Sequence, residues 1–355
     1  MASRHTTASP RATGSNDSSS LSLPSSPAAT PTSVEVAWTR FFERHKPLPA
    51  PAAQRASAPQ ALRRSRMRSE TEYLESMRRL RRLVLSGVPS DEFVTPYGPT
   101  RPLLWKLLLR VSCPAGPYLT LVAKGPSTAH AKIRNDTFRT LATDQGFKRR
   151  VDEGMLVRLL EAFVWRNDDG EDEPTDGTMS FSYVQGMNVL AAPFLYAMRS
   201  ELEAFWCFTS FIEECCPLYV QPTLAGVHSG LDLLDRCLLL ADAALYTHLR
   251  SKNLTAELYA FPSVLTLCAC TPPLDEVLQL WDFLLAFGAH LNILCVVAQL
   301  LLMRDALMTS TSPMKLLRSF PPLQAQKIIG ITVTLVRDLP DALYQELVLH
   351  TGVRV

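Results

Sequence analysis

Apolar side chains recur every three or four positions along most of the chain. The clearest case is the segment 147–165, in which apolar residues occupy positions 147, 151, 155, 159 and 163. This spacing matches the 3.6-residue turn of an α-helix. Comparable segments predict helices over residues 184–198, 201–215, 227–249, 257–268, 273–287, 291–308, 313–319, 322–337 and 340–349. Because no pair of segments shows the two-residue period of strands, the pattern predicts an all-α fold.

Helix-start and helix-stop signals indicate where the folded region begins. Ser69 and Glu72 form a capping-box pattern, and Gly87 is the stop signal of the helix that they would open. Thr271 stands before two prolines, as an N-cap residue does. We therefore predict a single multi-helix domain over residues 69–352.

The first 68 residues differ in composition, since Ser, Thr, Pro and Ala dominate them. Such a segment buries too little apolar surface to offset the entropy lost on ordering, so residues 1–68 are predicted to form a disordered tail and linker. One apolar island interrupts it, with Trp38, Phe41 and Phe42 at helical spacing. The sequence leaves open whether this island packs on the domain or on a partner.

Three polar stretches carry weaker signals. Ser9, Ser26 and Thr30 each precede proline, which fits both proline-directed phosphorylation and chance. Arginines cluster over residues 63–82 with glutamates between them, which is typical of a solvated helical face and, as the alternative, of a binding patch. Residues 168–176 are acidic and are predicted to form a solvated loop.

Composition and charge narrow the class of protein. Hydrophobic residues make up 47% of the chain and charged residues 20%, and the net charge of +2 favours neither nucleic acid nor an anionic membrane as the main partner. The longest apolar run, 291–303, is shorter than the roughly 20 residues that a bilayer requires, so no transmembrane segment is predicted. The eight cysteines form no CxxC pair, and no apolar signal-peptide core follows Met1. These features favour a reduced cytosolic or nuclear compartment, and we predict a cytoplasmic protein.

Several common site types are missing from the sequence. There is no GxxxxGK[ST] loop, no GxGxxG after a strand and no GxSxG elbow, and the seven histidines lack metal-ligand spacing. The sequence therefore argues against kinases and hydrolases of standard type, and we expect no cofactor or metal of the chain's own.

Two polar strings stand out in this apolar chain. Residues 133–140 spell IRNDTFRT, and residues 183–195 spell YVQGMNVLAAPFL. They match the IxxDxxR and YxQGMN strings of the TBC domain family, the activators of Rab-like small GTPases, which the chain resembles over about residues 80–350. Weaker marks in the same order are GPTRPLLW at 98–105 and LWD at 280–282 with Gly288. The resemblance implies an all-α TBC domain.

The resemblance also implies a mechanism in trans. Phosphoryl transfer from GTP needs charge neutralisation and an oriented water, and little covalent help. Arginine suits the first task because its planar fork stays charged, and a glutamine amide suits the second because it both donates and accepts. The family's arginine and glutamine correspond to Arg139 and Gln185. The implied partner is a Rab-like small GTPase, to which the GTP and the magnesium ion belong.

The other motif residues have structural interpretations beside functional ones. Asp136 and Arg139 are three residues apart and could simply pair on a helix, although the resemblance favours a role for Asp136 in holding Arg139. Gly186 is predicted to allow close backbone approach, and Asn188 to cap or orient a helix.

Four further residues are assigned mainly to the fold: Tyr183, Trp105, Trp281 and Asp282. Arg101 remains open between two interpretations. It either packs against an acidic partner within the fold or contacts the GTPase.

Within the family, three strings resemble the mitotic checkpoint and spindle-position branch of fungi. They are residues 183–195, the FPSVLTL run at 261–267 and the LWDFLLAFGAHLN run at 280–292. Members of that branch pair with a non-enzymatic scaffold subunit at the spindle pole and act on a GTPase that drives mitotic exit or septation. The acidic insertion before Ser180 and the loop 88–100 are departures that bear on which GTPase fits.

The resulting prediction is a GTPase-activating protein that supplies Arg139 and Gln185 to a Rab-like GTPase. The alternative is a catalytically inert scaffold that binds a GTPase. Loss of Arg139 or Gln185 from the sequence would have indicated such a scaffold. A third interpretation, an interaction domain unrelated to GTPases, requires both strings to be coincidences.

Overall fold

The computed structural model describes residues 32–44, 59–90, 93–168 and 181–352, with only the backbone described over 59–70. Within these ranges the secondary structure is almost entirely helical, which confirms the predicted all-α fold; the only strands are the two-residue pairs Val94–Thr95 and Gly98–Pro99. The helices are α1 Ser33–Arg44, α2 Pro59–Leu85, α3 Thr100–Leu108, α4 Ala115–Ala123, α5 His130–Thr137, α6 Gln145–Arg150, α7 Glu153–Asn167, α8 Met187–Ala197, α9 Glu201–Ser210, α10 Ala225–Ala241, α11 Ala243–Ser251, α12 Ala256–Leu265, α13 Leu274–Phe287, α14 Asn292–Leu302, α15 Arg304–Thr309, α16 Pro313–Leu317, α17 Ala325–Asp338 and α18 Asp341–Leu349.

An aromatic cluster in the core joins α3, α8 and α13. The Trp281 ring lies 5.4 Å from that of Phe194, in a T-shaped arrangement, and 6.1 Å from that of Trp105. The Phe211 ring completes the cluster at 5.2 Å from Trp281. Edge-to-face aromatic pairs have a preferred geometry as well as a large buried area. The cluster therefore fixes the position of α8, whose N-terminal end reaches the candidate site.

A buried ion pair supports the same junction. Arg101 donates through Nε and Nη2 to Asp282 at 3.1–3.2 Å, and Trp105 Nε1 donates to the same carboxylate at 2.7 Å. Arg101 is 6% exposed and Asp282 2% exposed. A charge at this depth is tolerated only when it is paired and hydrogen-bonded. The open question about Arg101 is therefore answered in favour of a contact within the fold.

Three predicted helices are each divided in the structure. The segment 147–165 breaks before Asp152, whose side chain accepts the Gly154 N–H, and the segment 227–249 breaks at Asp242, which accepts the Leu245 N–H. The segment 291–308 breaks at Met303. The apolar period continues across each break, so periodicity alone merged the neighbouring helices.

Some predicted helix boundaries are wrong. Helix α2 begins at Pro59, so Ser69 lies inside it rather than at its N-cap, while Gly87 follows its end with a positive φ of 103° as expected. Thr271 does not cap α13; Pro273 is the N-cap residue, without a side-chain hydrogen bond. The short helices α3, α4 and α5 were not predicted.

The apolar island packs on the domain. Trp38 is fully buried, its Nε1 donates to the Gly87 carbonyl at 3.0 Å, and its ring stacks on Phe42 at 5.8 Å. Phe41 is 3% exposed. Packed structure thus includes a segment that the sequence analysis placed in the tail, and the predicted boundary at 69 falls within α2.

Other predicted features fall partly outside the described residues. These are the candidate phosphorylation sites Ser9, Ser26 and Thr30, the loop residues 169–176 and the arginine side chains before residue 71. Within the arginine cluster, Arg81 donates to the Ala286 carbonyl at 2.7 Å, and Arg78 and Arg79 are exposed. Across the described ranges, no helix has both the length and the apolar character of a membrane span.

The docking of α1 predicts a measurable contribution to stability. Trp38→Ala should lower the free energy of unfolding by about 3–5 kcal/mol, because it removes a fully buried ring and leaves a cavity. Glu43→Ala, an exposed change on the same helix, is the matched control and should change it little. Denaturant unfolding of the full chain measures both. Equal midpoints for the two variants would show that α1 does not contribute to the stability of the domain.

Candidate functional site

An open groove of about 680 Å³ lies where the end of α5, the start of α8 and the second half of α12 meet. Its polar lining includes Arg139 and Gln185, the two residues that the sequence analysis singled out. Its other lining residues are Asp136, Thr140, Leu141, Ala142, Thr143, Gly186, Asn188, Val189, Leu224, Phe261, Pro262, Leu265, Thr266 and Cys270. The two predicted catalytic side chains, which are 46 positions apart in the sequence, thus line one depression.

Asp136 is the buried acceptor of this site. Tyr183 donates its hydroxyl to Oδ2 at 2.8 Å, and Arg139 donates from Nη2 to Oδ1 at 2.5 Å. Asp136 is 7% exposed and Tyr183 5% exposed. Burial, and after it the hydrogen bond to Asp136, raises the pKa of Tyr183, so this hydroxyl remains a donor at neutral pH.

Asp136 holds Arg139 through one ion pair and leaves the rest of the guanidinium exposed. Its side chain is 55% exposed, and among the described residues the bond to Asp136 is the only one that its guanidinium makes. The ion pair is half exposed, since the guanidinium lies in solvent and the carboxylate is buried. The pair therefore orients the guanidinium, whose Nε and Nη1 donors remain available to a ligand.

Asn188 ties the two strings together. Its Nδ2 donates to the Thr140 hydroxyl at 2.8 Å and to the Asp136 carbonyl at 3.4 Å, while its Oδ1 accepts the Gly186 N–H at 3.2 Å. The amide thus joins the end of α5 to the turn before α8. The role predicted for Asn188, to cap or orient a helix, stays a prediction that these bonds support.

Gly186 sets the turn that presents Gln185. The Met187 N–H donates to the Val184 carbonyl at 3.2 Å, and Gly186 has φ +104° and ψ −23° as the third residue of this turn. That conformation at the third position is typical of a type II turn. A Cβ on Gly186 would lie 3.0 Å from Leu265 Cδ2. Gln185 is the second residue of the turn and is exposed, with no side-chain hydrogen bond to the described residues.

The groove includes most of the predicted site residues, but not all. Tyr183 lies behind it through Asp136, and Arg101 belongs to the core pair described above. The sequence analysis assigned no role to Thr140, which accepts a hydrogen bond from Asn188 Nδ2, or to Leu265, which lies beside Gly186. It also missed Phe138, which is 66% exposed beside Arg139. A large apolar side chain inside a polar string was the available signal for Phe138.

The lining offers no arrangement that would hold a metal ion. Its carboxylate, Asp136, has both oxygens engaged by Arg139 and Tyr183. Among the described residues generally, no group of three or more His, Cys, Asp or Glu residues is placed to bind one. The polar groups that the groove exposes include a guanidinium and an amide.

The conformation of Gly186 predicts a specific sensitivity. Gly186→Ala should destabilise the protein by about 1–2 kcal/mol, because a Cβ is unfavourable at a positive φ and meets Leu265. Gly330→Ala is the matched control, since Gly330 lies within α17 with open space around it; we expect a gain of about 0.5–1 kcal/mol. Thermal unfolding measures both, and a neutral Gly186→Ala would contradict the turn geometry.

The amino-acid sequence is similar to those of known proteins over most of the chain. The model of the Rab-GTPase-TBC domain family matches residues 99–308. Cell division control protein 16 of Schizosaccharomyces pombe is 49% identical over 274 residues, which span 77% of this chain and 87% of that protein. Mitotic check point protein BUB2 of Saccharomyces cerevisiae is 42% identical over 281 residues, spanning 78% of this chain and 92% of that protein.

Solved structures share the fold. The Ypt/Rab-GAP domain of Gyp1p superposes with a TM-score of 0.60 at 18% identity, covering 76% of this chain and 93% of that one. The flagellar RabGAP TBC domain of Chlamydomonas also gives 0.60, at 19% identity, covering 85% of this chain and 91% of that one. At this level of identity the likeness is one of fold.

Proposed function

The chain belongs to the Rab-GTPase-TBC domain family, and from that membership we propose that it is a GTPase-activating protein of a mitotic checkpoint. Mitotic check point protein BUB2, at 42% identity, supports the checkpoint assignment through its name, and cell division control protein 16, at 49%, supports a role in cell division. Both are matched over more than four fifths of their own length. Family membership also removes the interpretation in which the two strings are coincidences.

Arg139 is the proposed arginine finger. The observation that carries the proposal is a half-exposed guanidinium anchored at one nitrogen by a buried carboxylate, with its other donors facing an open groove. Charge develops on the oxygens around the transferring phosphoryl group, and a guanidinium there lowers the barrier. Because Asp136 and Tyr183 fix one side of the fork in advance, less of its conformational freedom remains to be lost on binding.

Gln185 is the proposed water-positioning residue. It lies on the turn that Gly186 and Asn188 hold rigid, and its amide is exposed on the same groove as Arg139. An amide oxygen accepts a hydrogen from the attacking water while the amide nitrogen donates toward the γ-phosphate. GTP and magnesium belong to the partner in this proposal.

The alternative is a groove that binds a Rab-like GTPase without accelerating turnover. Loss of Arg139 or Gln185 would indicate such a scaffold, whereas both are present and both line the groove. The non-enzymatic scaffold subunit and the location at the spindle pole, both implied by the resemblance, stay predictions.

Substitution of Arg139 tests the mechanism. Arg139→Ala should reduce stimulation of GTP hydrolysis by a factor on the order of 10³, the scale of a lost arginine finger. Arg139→Lys should restore little of this stimulation, because the lysine ammonium lacks the planar, two-pronged geometry of a guanidinium. Single-turnover hydrolysis by a panel of GTP-loaded Rab-type GTPases provides the measurement.

A matched control is available on α5, the helix that ends two residues before Arg139. Arg134 is 52% exposed and pairs with Glu153 at 2.9 Å, so it resembles Arg139 in exposure and pairing but does not line the groove. Arg134→Ala should retain nearly full stimulation. If both alanine variants stimulate equally well, the trans-arginine mechanism is wrong and the inert scaffold becomes the better interpretation.

Gln185→Ala should also lose most of the stimulation while leaving the unfolding midpoint unchanged, since Gln185 makes no side-chain bond within the described residues. Capture of the GTPase loaded with GDP and aluminium fluoride, which imitates the transferring phosphoryl group, should weaken in the Arg139→Ala and Gln185→Ala variants. Wild-type capture by both variants would contradict the roles assigned to them.

The scaffold prediction has a separate test. The purified chain alone should stimulate its GTPase weakly, and addition of a subunit recovered from cells by affinity capture should raise that activity. Full stimulation by the chain alone, with no subunit recovered, would argue for an activator that works unaided.

A further inference from the structure

The candidate groove has an apolar side that the proposed catalytic chemistry does not use. Helix α12 supplies most of it through Phe261, Pro262 and Leu265, and Leu224, the residue before α10, adds to it. Leu258, one turn before Pro262, continues this surface beyond the groove and is 58% exposed. These five residues are here called the apolar wall. Charges and hydrogen-bond donors stabilise phosphoryl transfer, and the side chains of the wall offer neither.

The residue pattern of α12 is unusual for a helix that faces solvent. Positions 258, 261, 262 and 265 are spaced so that they share one helical face, and that face is exposed or half-buried. The buried side of the helix, which packs on α10 and α14, is mainly apolar as well. Charge on this fully described helix is confined to Glu257. Because a helix that is apolar on all sides is normally covered on all sides, the face toward solvent is expected to have a partner.

The backbone at two groove leucines gives an independent indication of a binding role. Leu224 has φ +49° and ψ +35°, and Leu141, which also lines the groove, has φ +45°. The left-handed conformation is unfavourable for a bulky side chain such as leucine. Residues held in such conformations cluster at active sites and ligand-binding segments.

The apolar wall begins directly beside the turn that presents Gln185. A Cβ on Gly186 would lie 3.0 Å from Leu265 Cδ2 and 3.2 Å from its Cγ. Leu265 and Gln185 also line the same depression as Arg139. A molecule that reaches both polar side chains therefore lies against the wall.

We propose that the apolar wall receives an apolar patch of the GTPase surface that borders its bound nucleotide. The inference rests on the proposed function and adds the contact that seats the partner. With the phosphates at Arg139 and Gln185, the protein surface around the nucleotide is the part of the GTPase that reaches α12. These apolar contacts form equally in the ground state and in the transition state, so they set the affinity and the choice of GTPase and leave the chemical step unchanged.

The first experiment separates binding from chemistry. Leu258→Ala should raise the KM for the GTPase about fivefold with little change in kcat, because it removes apolar surface that the complex buries. Leu119→Ala, at a position 62% exposed on α4 and outside the groove, is the matched control. Leu258→Met keeps a side chain of similar volume and should stay near the wild-type KM. The GTPase used is the one that the wild-type chain stimulates most in the panel. A KM that is unchanged, or that rises equally in the control, would overturn the proposal.

Pro262→Ala gives a second and different signature. Pro262 is exposed, lines the groove and lies inside α12, where alanine is the better helix former. The substitution should leave the unfolding midpoint unchanged or raise it, while the KM for the GTPase rises about threefold. A fall in the midpoint with an unchanged KM would show that Pro262 serves the fold alone, and would overturn its place in the docking surface.

The partner's side of the contact is tested by double-mutant cycles. Apolar surface residues of the GTPase around its nucleotide site are changed singly to alanine and combined with Leu258→Ala. At least one pair should be non-additive in KM, as residues in contact are. Additive effects at every position would overturn the assignment of the apolar wall to that patch.

A final measurement does not depend on hydrolysis. The Arg139→Ala variant should still bind the GTPase loaded with a non-hydrolysable GTP analogue, and adding Leu258→Ala should weaken this binding about fivefold. If Arg139→Ala retains stimulation while Leu258→Ala weakens binding, the proposed mechanism fails and the docking surface stands. Unchanged binding would overturn the docking surface even where Arg139 is catalytic. A self-associated chain that Leu258→Ala dissociates, detected by sedimentation, would assign the wall to a second copy and overturn the proposal.

Discussion

The buried carboxylate of Asp136 has two oxygens and receives two donors, and the candidate site depends on that pairing. One donor, the Tyr183 hydroxyl, is buried and comes from the second string; the other, the Arg139 guanidinium, is half exposed. Buried carboxylates need such partners, since an unpaired one loses its hydration without compensation. The same interaction therefore stabilises a charge in the interior and directs an arginine toward solvent. The Asn188 amide adds a second link between the strings, so the groove is built before any partner binds.

The core explains why this arrangement is held in place. Helix α8 begins at the Gly186 turn and continues into the aromatic cluster through Phe194, whose ring contacts Trp105 and Trp281. The paired charges of Arg101 and Asp282 lie beside that cluster and link α3 to α13. Because interiors are close-packed, the start of α8 has little freedom to shift relative to α5. Rigid support of this kind suits a site that must present two side chains at a fixed separation.

Sequence reasoning predicted the helical class and most of the long helices, because their apolar periods persist over several turns. It merged α10 with α11 because Asp242 caps a new helix without interrupting that period. It brought Arg139 and Gln185 together through the family resemblance, whereas spacing alone could not relate residues 46 positions apart. The Leu265 contact could not be predicted for the same reason, because it depends on α12 packing beside a segment that is distant in sequence. Arg101 was undecided because a lone arginine carries no signal of burial.

The docking of α1 has a consequence for how the protein behaves in solution. Trp38, Phe41 and Phe42 are almost fully buried, so the surfaces that they cover on the domain are apolar as well. A chain shortened to begin at residue 69 would leave those surfaces open to water, and exposed apolar patches promote self-association. Poor solubility or aggregation of such a fragment would then result from the removal of α1. It would carry no information about the ability of the fragment to stimulate a GTPase.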